Sequence, residues 1–174
     1  MLSKNNIISY LIIISTFVLI LTNISLADEL GDKMNSLVDE LKSNNGAVRL
    51  NAIKQLSEIN NKRVVSYLCN ALQHKDKNVR QIACKGLGNL RHYKAVPYLL
   101  KVIKVDREIF VKKSAVLALG DIGSVDAVKP LKELLRHKNI YLRKYIIEAL
   151  LKLGVNEIEI KKITSGKSKK SKKS

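Results

Sequence analysis

The side chains best suited to chemistry are few: His74, His92 and His137, the two cysteines Cys69 and Cys84, and four cations, Arg49, Arg80, Lys112 and Arg143, that recur at intervals of 31, 32 and 31 residues. Histidine and cysteine could ligate a metal or attack an electrophile. Neither cysteine, however, stands in a Cys-x-x-Cys or other metal-ligand spacing. No nucleophile occupies a recognisable motif, and with no strand pattern in the sequence there is no place for a strand-borne glycine-rich phosphate loop. The histidines fall at the ends of expected helices, where an imidazole commonly meets terminal carbonyls. No catalytic, cofactor-binding or metal-binding residue is therefore assigned. The four regularly spaced cations have two readings, an anion-binding stripe or a set of packing residues, and equivalent positions of a repeat usually pack.

The elements that position these groups follow from what surrounds each cation. Counting from it, apolar residues follow at +3 (Ala52, Ala83, Ala115, Ile146), +7 (Leu56, Leu87, Leu119, Leu150) and +10 (Ile59, Leu90, Ile122, Leu153). That is the spacing of a helix face. Three copies continue with Val65, Val96 and Val128, then Leu68, Leu99 and Leu131, so each unit carries a second amphipathic helix. A lone helix is expected near 32–43. Pairs follow at 46–58 with 62–73, 77–89 with 93–104, 109–121 with 125–136, and 140–152 with 156–163. Turn residues separate them: Asn44-Asn45-Gly46, Asn60-Asn61, Asp76, Gly123 and Gly154. A regular repeat of helix pairs predicts an all-α stacked solenoid of about four pairs plus an N-terminal half repeat.

The segments Asp76-Lys-Asn-Val-Arg80, Ala83-Cys-Lys-Gly-Leu-Gly88, Ala115-Val-Leu-Ala-Leu-Gly-Asp-Ile-Gly123 and Ala127-Val-Lys-Pro-Leu-Lys-Glu-Leu-Leu135 resemble the short HEAT-like repeats of phycobilin lyase subunits. The resemblance covers about 44–154 and implies a right-handed α-α superhelix. The last repeat departs from it, with Leu151 where Gly88 and Gly120 stand, as a capping unit would. The resemblance also implies a ladder of hydrogen-bonded aspartates and arginines joining the repeats. Its residues here would be Arg49, Asp76, Arg80, Lys112 and Arg143, with Asn45, Asp106 and Asn139 matching the acidic position less well. Some HEAT-like proteins are metal-dependent hydroxylases with paired His-Glu dipeptides; here Lys75, Tyr93 and Lys138 follow the three histidines, so no enzyme is expected. In HEAT-like solenoids the second helix of each pair is expected to line the concave surface. Its exposed edge would present Tyr67, Asn70 and His74, then Tyr98, Lys101 and Lys104, then Lys129, Glu133 and Arg136 to another protein or peptide.

The ends of the chain bear on where this would happen. Lys4, the apolar run Ile7–Leu21 and Ser25-Leu26-Ala27 before Asp28 read as a secretory signal peptide over 1–27. The expected location is then the periplasm, the alternative being an uncleaved anchor in the inner membrane. The repeat domain is expected over 28–163 and a disordered tail over 164–174, the last fourteen residues carrying seven lysines and no acid. The net charge of +17 would suit nucleic acid, but export separates the chain from it. Anionic lipid or glycan is the second partner expected of the basic surface and tail. In an oxidising compartment Cys69 and Cys84 could form a disulfide; the simpler reading is two buried small hydrophobes.

Overall fold

The computed structural model describes residues 4–165, with side chains from Ile12 onward. Apart from Thr164 and Ser165, the lysine-rich tail lies outside the described residues. The described residues form helices and turns, with no strand. They comprise α1 (Lys4–Glu40), α2 (Gly46–Glu58), α3 (Val64–Ala71), α4 (Lys77–Leu90), α5 (Val96–Val105), α6 (Ile109–Ile122), α7 (Val128–Leu134), α8 (Ile140–Lys152) and α9 (Glu157–Thr164). Single 3-10 turns, Tyr93–Ala95 and Val125–Ala127, lead into α5 and α7.

The repeat pattern is the core. The +3 and +7 residues of all four copies are fully buried, as are Leu68, Leu99 and Leu131 of the second helices. Short polar side chains cap α2, α4 and α8, whereas the N-cap of α6 is Glu108, which makes no side-chain cap bond, with Asp106 two residues before it. The Asn45 side chain accepts from the Ala47 amide at 2.9 Å and Asp76 from Asn78 at 2.9 Å. Asp106 accepts from Glu108 at 2.9 Å and Asn139 from Leu142 at 3.0 Å. Each satisfies one of the amides that a helix start leaves without an internal partner.

The lone N-terminal helix differs from its expected form. It is the last part of α1, where Met34 and Leu37 are buried, followed by buried Leu41. The same helix runs without interruption back to Lys4, since no proline or multi-residue turn signal lies between the apolar run and this amphipathic end. Its side chains from Ile12 to Glu29 are exposed, and α1 contains a stretch long and apolar enough to cross a membrane.

The two rows of helices pack unequally. Consecutive first helices, α2, α4, α6 and α8, lie against one another along their length, whereas consecutive second helices meet chiefly through the 3-10 turns and otherwise pack onto the first helix of the next unit. Glycine sets the close spacing. A Cβ on Gly88 would lie 3.0 Å from the Ala118 Cα, and one on Gly120 would lie 3.2 Å from the Ala149 Cα. The register equivalent in the last repeat, Leu151, has no following first helix against it among the described residues and is 42% exposed, so a large residue is tolerated there. In a curved stack the row with the shorter spacing is the inside. The first helices form the closely spaced row, called the inner row below, and the second helices the spread, outer row.

Candidate functional site

The inner surface is built from positions that repeat beside the packed stripe. On α2 it presents Leu50 and Lys54, on α4 Ile82 and Lys85, on α6 Phe110, Lys113 and Leu117, and on α8 Tyr141, Tyr145 and Glu148. Leu50, Ile82, Phe110 and Tyr145 are half-buried against the core, and Lys54, Lys85 and Tyr141 are exposed. Two cation-aromatic contacts cross from one repeat to the next. The Lys77 Nζ stands 5.5 Å from the centre of the Phe110 ring, and the Lys113 Nζ stands 4.4 Å from that of Tyr145. Such contacts hold long side chains over aromatic faces, so α4, α6 and α8 offer a continuous surface of rings and ammonium groups. Between α2 and α4 the same surface dips, with Lys54, Ile82, Lys85 and Leu90 around the depression.

The residues expected to face a partner lie on the outer row, and the structure divides them. The Tyr67 hydroxyl bonds the Asn35 side chain of α1 at 3.0 Å. The His74 Nδ1 accepts from the Asp76 amide at 3.0 Å while its Nε2 meets the Leu41 carbonyl at 3.0 Å. That pairing places the proton on Nε2 and makes His74 a brace between two turns. Asn70, Tyr98, Lys101, Lys104, Lys129, Glu133 and Arg136 are exposed. Tyr98 and Lys101 line an apolar groove of about 360 Å³ between α3 and α5, together with Cys69, Leu72, Val102 and Val105. The wide spacing of the second helices opens this groove.

The ladder forms, but only through its first two rungs. Arg49 donates from Nη1 to the Ser43 and Asn44 carbonyls at 2.9 Å each, and from Nη2 to the Asp76 carboxylate at 2.9 Å. Arg80 repeats this with His74 and Lys75, and closes on Asp106 through Nε at 2.7 Å and Nη2 at 3.0 Å. Asp106, a weaker match in sequence, thus makes the better-formed rung. The Arg49 hydrogen bond holds the Asp76 carboxyl below its ordinary pKa. Burial pushes Asp106 upward, but hydrogen bonds from Arg80 and the Glu108 amide, with the charges of Arg80 and Lys112, leave it below its ordinary value. Lys112 reaches only the Lys104 carbonyl, at 3.5 Å.

Cys69 and Cys84 are both free and buried. Cys69 opens toward the α3–α5 groove, whereas Cys84 is enclosed within α4 among core residues. The thiols thus serve different surroundings, and the disulfide alternative is not realised. Burial pushes Cys69 up to about 11 and Cys84 up to about 12, so both remain thiols rather than nucleophilic thiolates at neutral pH. His92 and His137 accept backbone amides at Nδ1, at 3.3 Å and 3.1 Å. Among the described residues no group of three His, Cys, Asp or Glu side chains is placed to hold a metal ion.

The model of HEAT repeats matches residues 34–119, and that of the PBS lyase HEAT-like repeat matches residues 111–137. The chain is a HEAT-like repeat protein. Its repeats are 32% identical over 77 residues to the bilin biosynthesis protein PecE of Nostoc sp., covering 44% of this chain and 30% of that protein. PecE of Mastigocladus laminosus is also 32% identical, with 44% of this chain and 29% of that protein covered. The chain thus spans under a third of the length of these curated relatives.

Among solved structures, the HEAT-like fold superimposes on the complex of CpcE and CpcF of phycocyanin lyase from Nostoc sp., with a TM-score of 0.58, 23% identity, and coverage of 72% of this chain and 54% of that one. It also superimposes on human deoxyhypusine hydroxylase, with a TM-score of 0.66, 21% identity, and coverage of 77% and 46%. These likenesses are of fold. The first-helix surface holds none of the residues expected from sequence to face a partner. Its signal was the pair Phe110 and Tyr141, aromatic residues 31 apart at a position where other copies have Ala47 and Asn78.

Proposed function

We propose that this HEAT-like chain is an exported, non-enzymatic scaffold that binds another protein through the inner face of its first helices. The observation that carries the reading is the unbroken run of half-buried rings and lysines across α4, α6 and α8. Rigid aromatic side chains supported from below are enriched at interface centres, and the lysines beside them suit the polar rim around such a centre. One neighbour in fold is itself a complex of two proteins, which fits a surface used for assembly. Export rests on the signal-like segment 1–27, and the periplasm is the compartment it implies.

Two measurements test this. Full-length chain and a Lys85→Ala, Phe110→Ala, Tyr145→Ala variant are each recovered from cells after crosslinking. A discrete protein should accompany the first and be lost from the second at unchanged helical circular dichroism. Equal recovery by both would end the assignment to this face. Amino-terminal sequencing of the recovered chain should begin at Asp28; a start at Met1 would make α1 a retained anchor. A second reading, association with anionic envelope lipid or glycan, draws on the net charge of +17. It predicts salt-sensitive binding with no discrete protein partner.

A further inference from the structure

The guanidiniums of the ladder work in two directions. One nitrogen donates to the carbonyls of the turn just before its own helix, and the rest of the fork faces the aspartate of the next repeat: Arg80 binds Asp106 through Nε and Nη2, whereas Arg49 binds Asp76 through Nη2 alone, its Nε having no partner among the described residues. Arg143 performs only the first half, donating from Nη1 to the His137 carbonyl at 2.7 Å and the Lys138 carbonyl at 3.5 Å. Its Nε and Nη2 have no acceptor among the described residues, and neither is sealed in the interior. In register, the missing aspartate would fall about 31 residues after Asn139, where the sequence holds no acid. Asn139 is also neutral, so Lys112 lacks the carboxylate that its register would give it. The resulting excess of positive charge is felt by His137, whose pKa is pushed down by burial first and then by Lys112, Lys138 and Arg143.

We propose that the C-terminal end of the ladder is an oxyanion site in which Arg143 is the fork and Lys112 and Lys138 add charge, and that it takes the carboxylate of an acidic side chain of another polypeptide. The same fork two repeats earlier, at Arg80, closes on an aspartate through two parallel bonds, the geometry in which arginine binds carboxylates best. Ile140, one helical turn before Arg143 and 60% exposed, gives a polypeptide apolar surface beside the charge. A second copy joined head to tail is not the occupant. Its first repeat offers Asn45 at the acidic position, a neutral side chain with one acceptor oxygen and a donor amide in place of a carboxylate.

The test is nuclear magnetic resonance of the arginine Nε–H groups in the full chain, titrated with aspartate blocked at both termini and, separately, with inorganic phosphate. The Arg143 signal should shift saturably with the aspartate probe, at a midpoint at least three-fold below those of the exposed Arg91 and Arg107. Arg143→Lys, which keeps the charge and removes the fork, should lose that site. Arg143 titrating in step with Arg91 and Arg107 would overturn the site, whatever the variant does. A phosphate midpoint several-fold below that of the aspartate probe would overturn the assignment of the ligand to a polypeptide carboxylate.

Discussion

The first and second helices come from the same repeat, yet they build opposite surfaces. The inner row is drawn together by Gly88 and Gly120 until backbone meets backbone, and it presents rings and ammonium groups along a continuous face. The outer row is spread, separated by grooves such as that beside Tyr98, and part of its polar edge braces the fold, as Tyr67 and His74 do. The difference teaches that exposed aromatic and basic residues on a solenoid mean little until the spacing of the two rows is known. Tyr98 and Lys101 have an interface composition but flank a gap; Lys85 and Tyr145 belong to one supported surface.

Closing the row spacing at the wrong place should break the comparison most severely. Gly88→Leu forces a side chain into the Ala118 backbone and should cost about 3 kcal/mol, the upper range for overpacking. Leu151→Gly, its register equivalent with no neighbour to meet, should cost about 1 kcal/mol through helix propensity. Denaturant unfolding of both variants checks the ratio.

The ladder supplies the next effect. Asp106→Asn leaves the Arg80 guanidinium unpaired in a site where the aspartate side chain is 5% exposed, and should cost about 2 kcal/mol. Asp76 and Asp106 hold their protons less readily folded than unfolded. Their contribution is therefore complete above the unfolded carboxylate pKa of about 3.9 and is lost as pH falls through the lower folded values. Thermal unfolding followed from pH 7 down to pH 2 should show this loss in the native chain and less of it in an Asp76→Asn, Asp106→Asn variant.

Substitutions on the two surfaces sharpen the contrast when binding is compared at unchanged helical circular dichroism. Phe110→Ala with Tyr145→Ala should weaken partner binding at least about ten-fold, as loss of central aromatic contacts does. Tyr98→Ala with Lys101→Ala should change it less than about two-fold. The smallest effect is a gain: Asn139→Asp returns a carboxylate to the third rung and keeps a good helix cap, which should add up to about 1 kcal/mol of stability.

The helices, the core positions and the ladder's basic residues were legible because they depend on spacing, and a 31-residue period repeats spacing faithfully. Asp106 was harder to read: a ladder acid can stand a few residues from its register and still meet its arginine, so position alone undervalues it. The inner surface was hidden for a different reason. Which row lies inside depends on how closely helices approach, and Gly88 and Gly120 carry that information only through what stands opposite them, Ala118 and Ala149. The fate of the cysteines likewise turned on the direction each side chain takes from its helix. Residues 28–30 gave no sign of a helix start, and α1 accordingly runs through them without a break.

The most direct test is site-specific photo-crosslinking in living cells from a probe at Lys85, on the inner row, against one at Tyr98, on the outer row, with the adducts identified by mass spectrometry. A discrete protein captured from Lys85 and not from Tyr98 is the predicted result. The same protein captured from Tyr98 and not from Lys85 would contradict it and return the binding surface to the second helices.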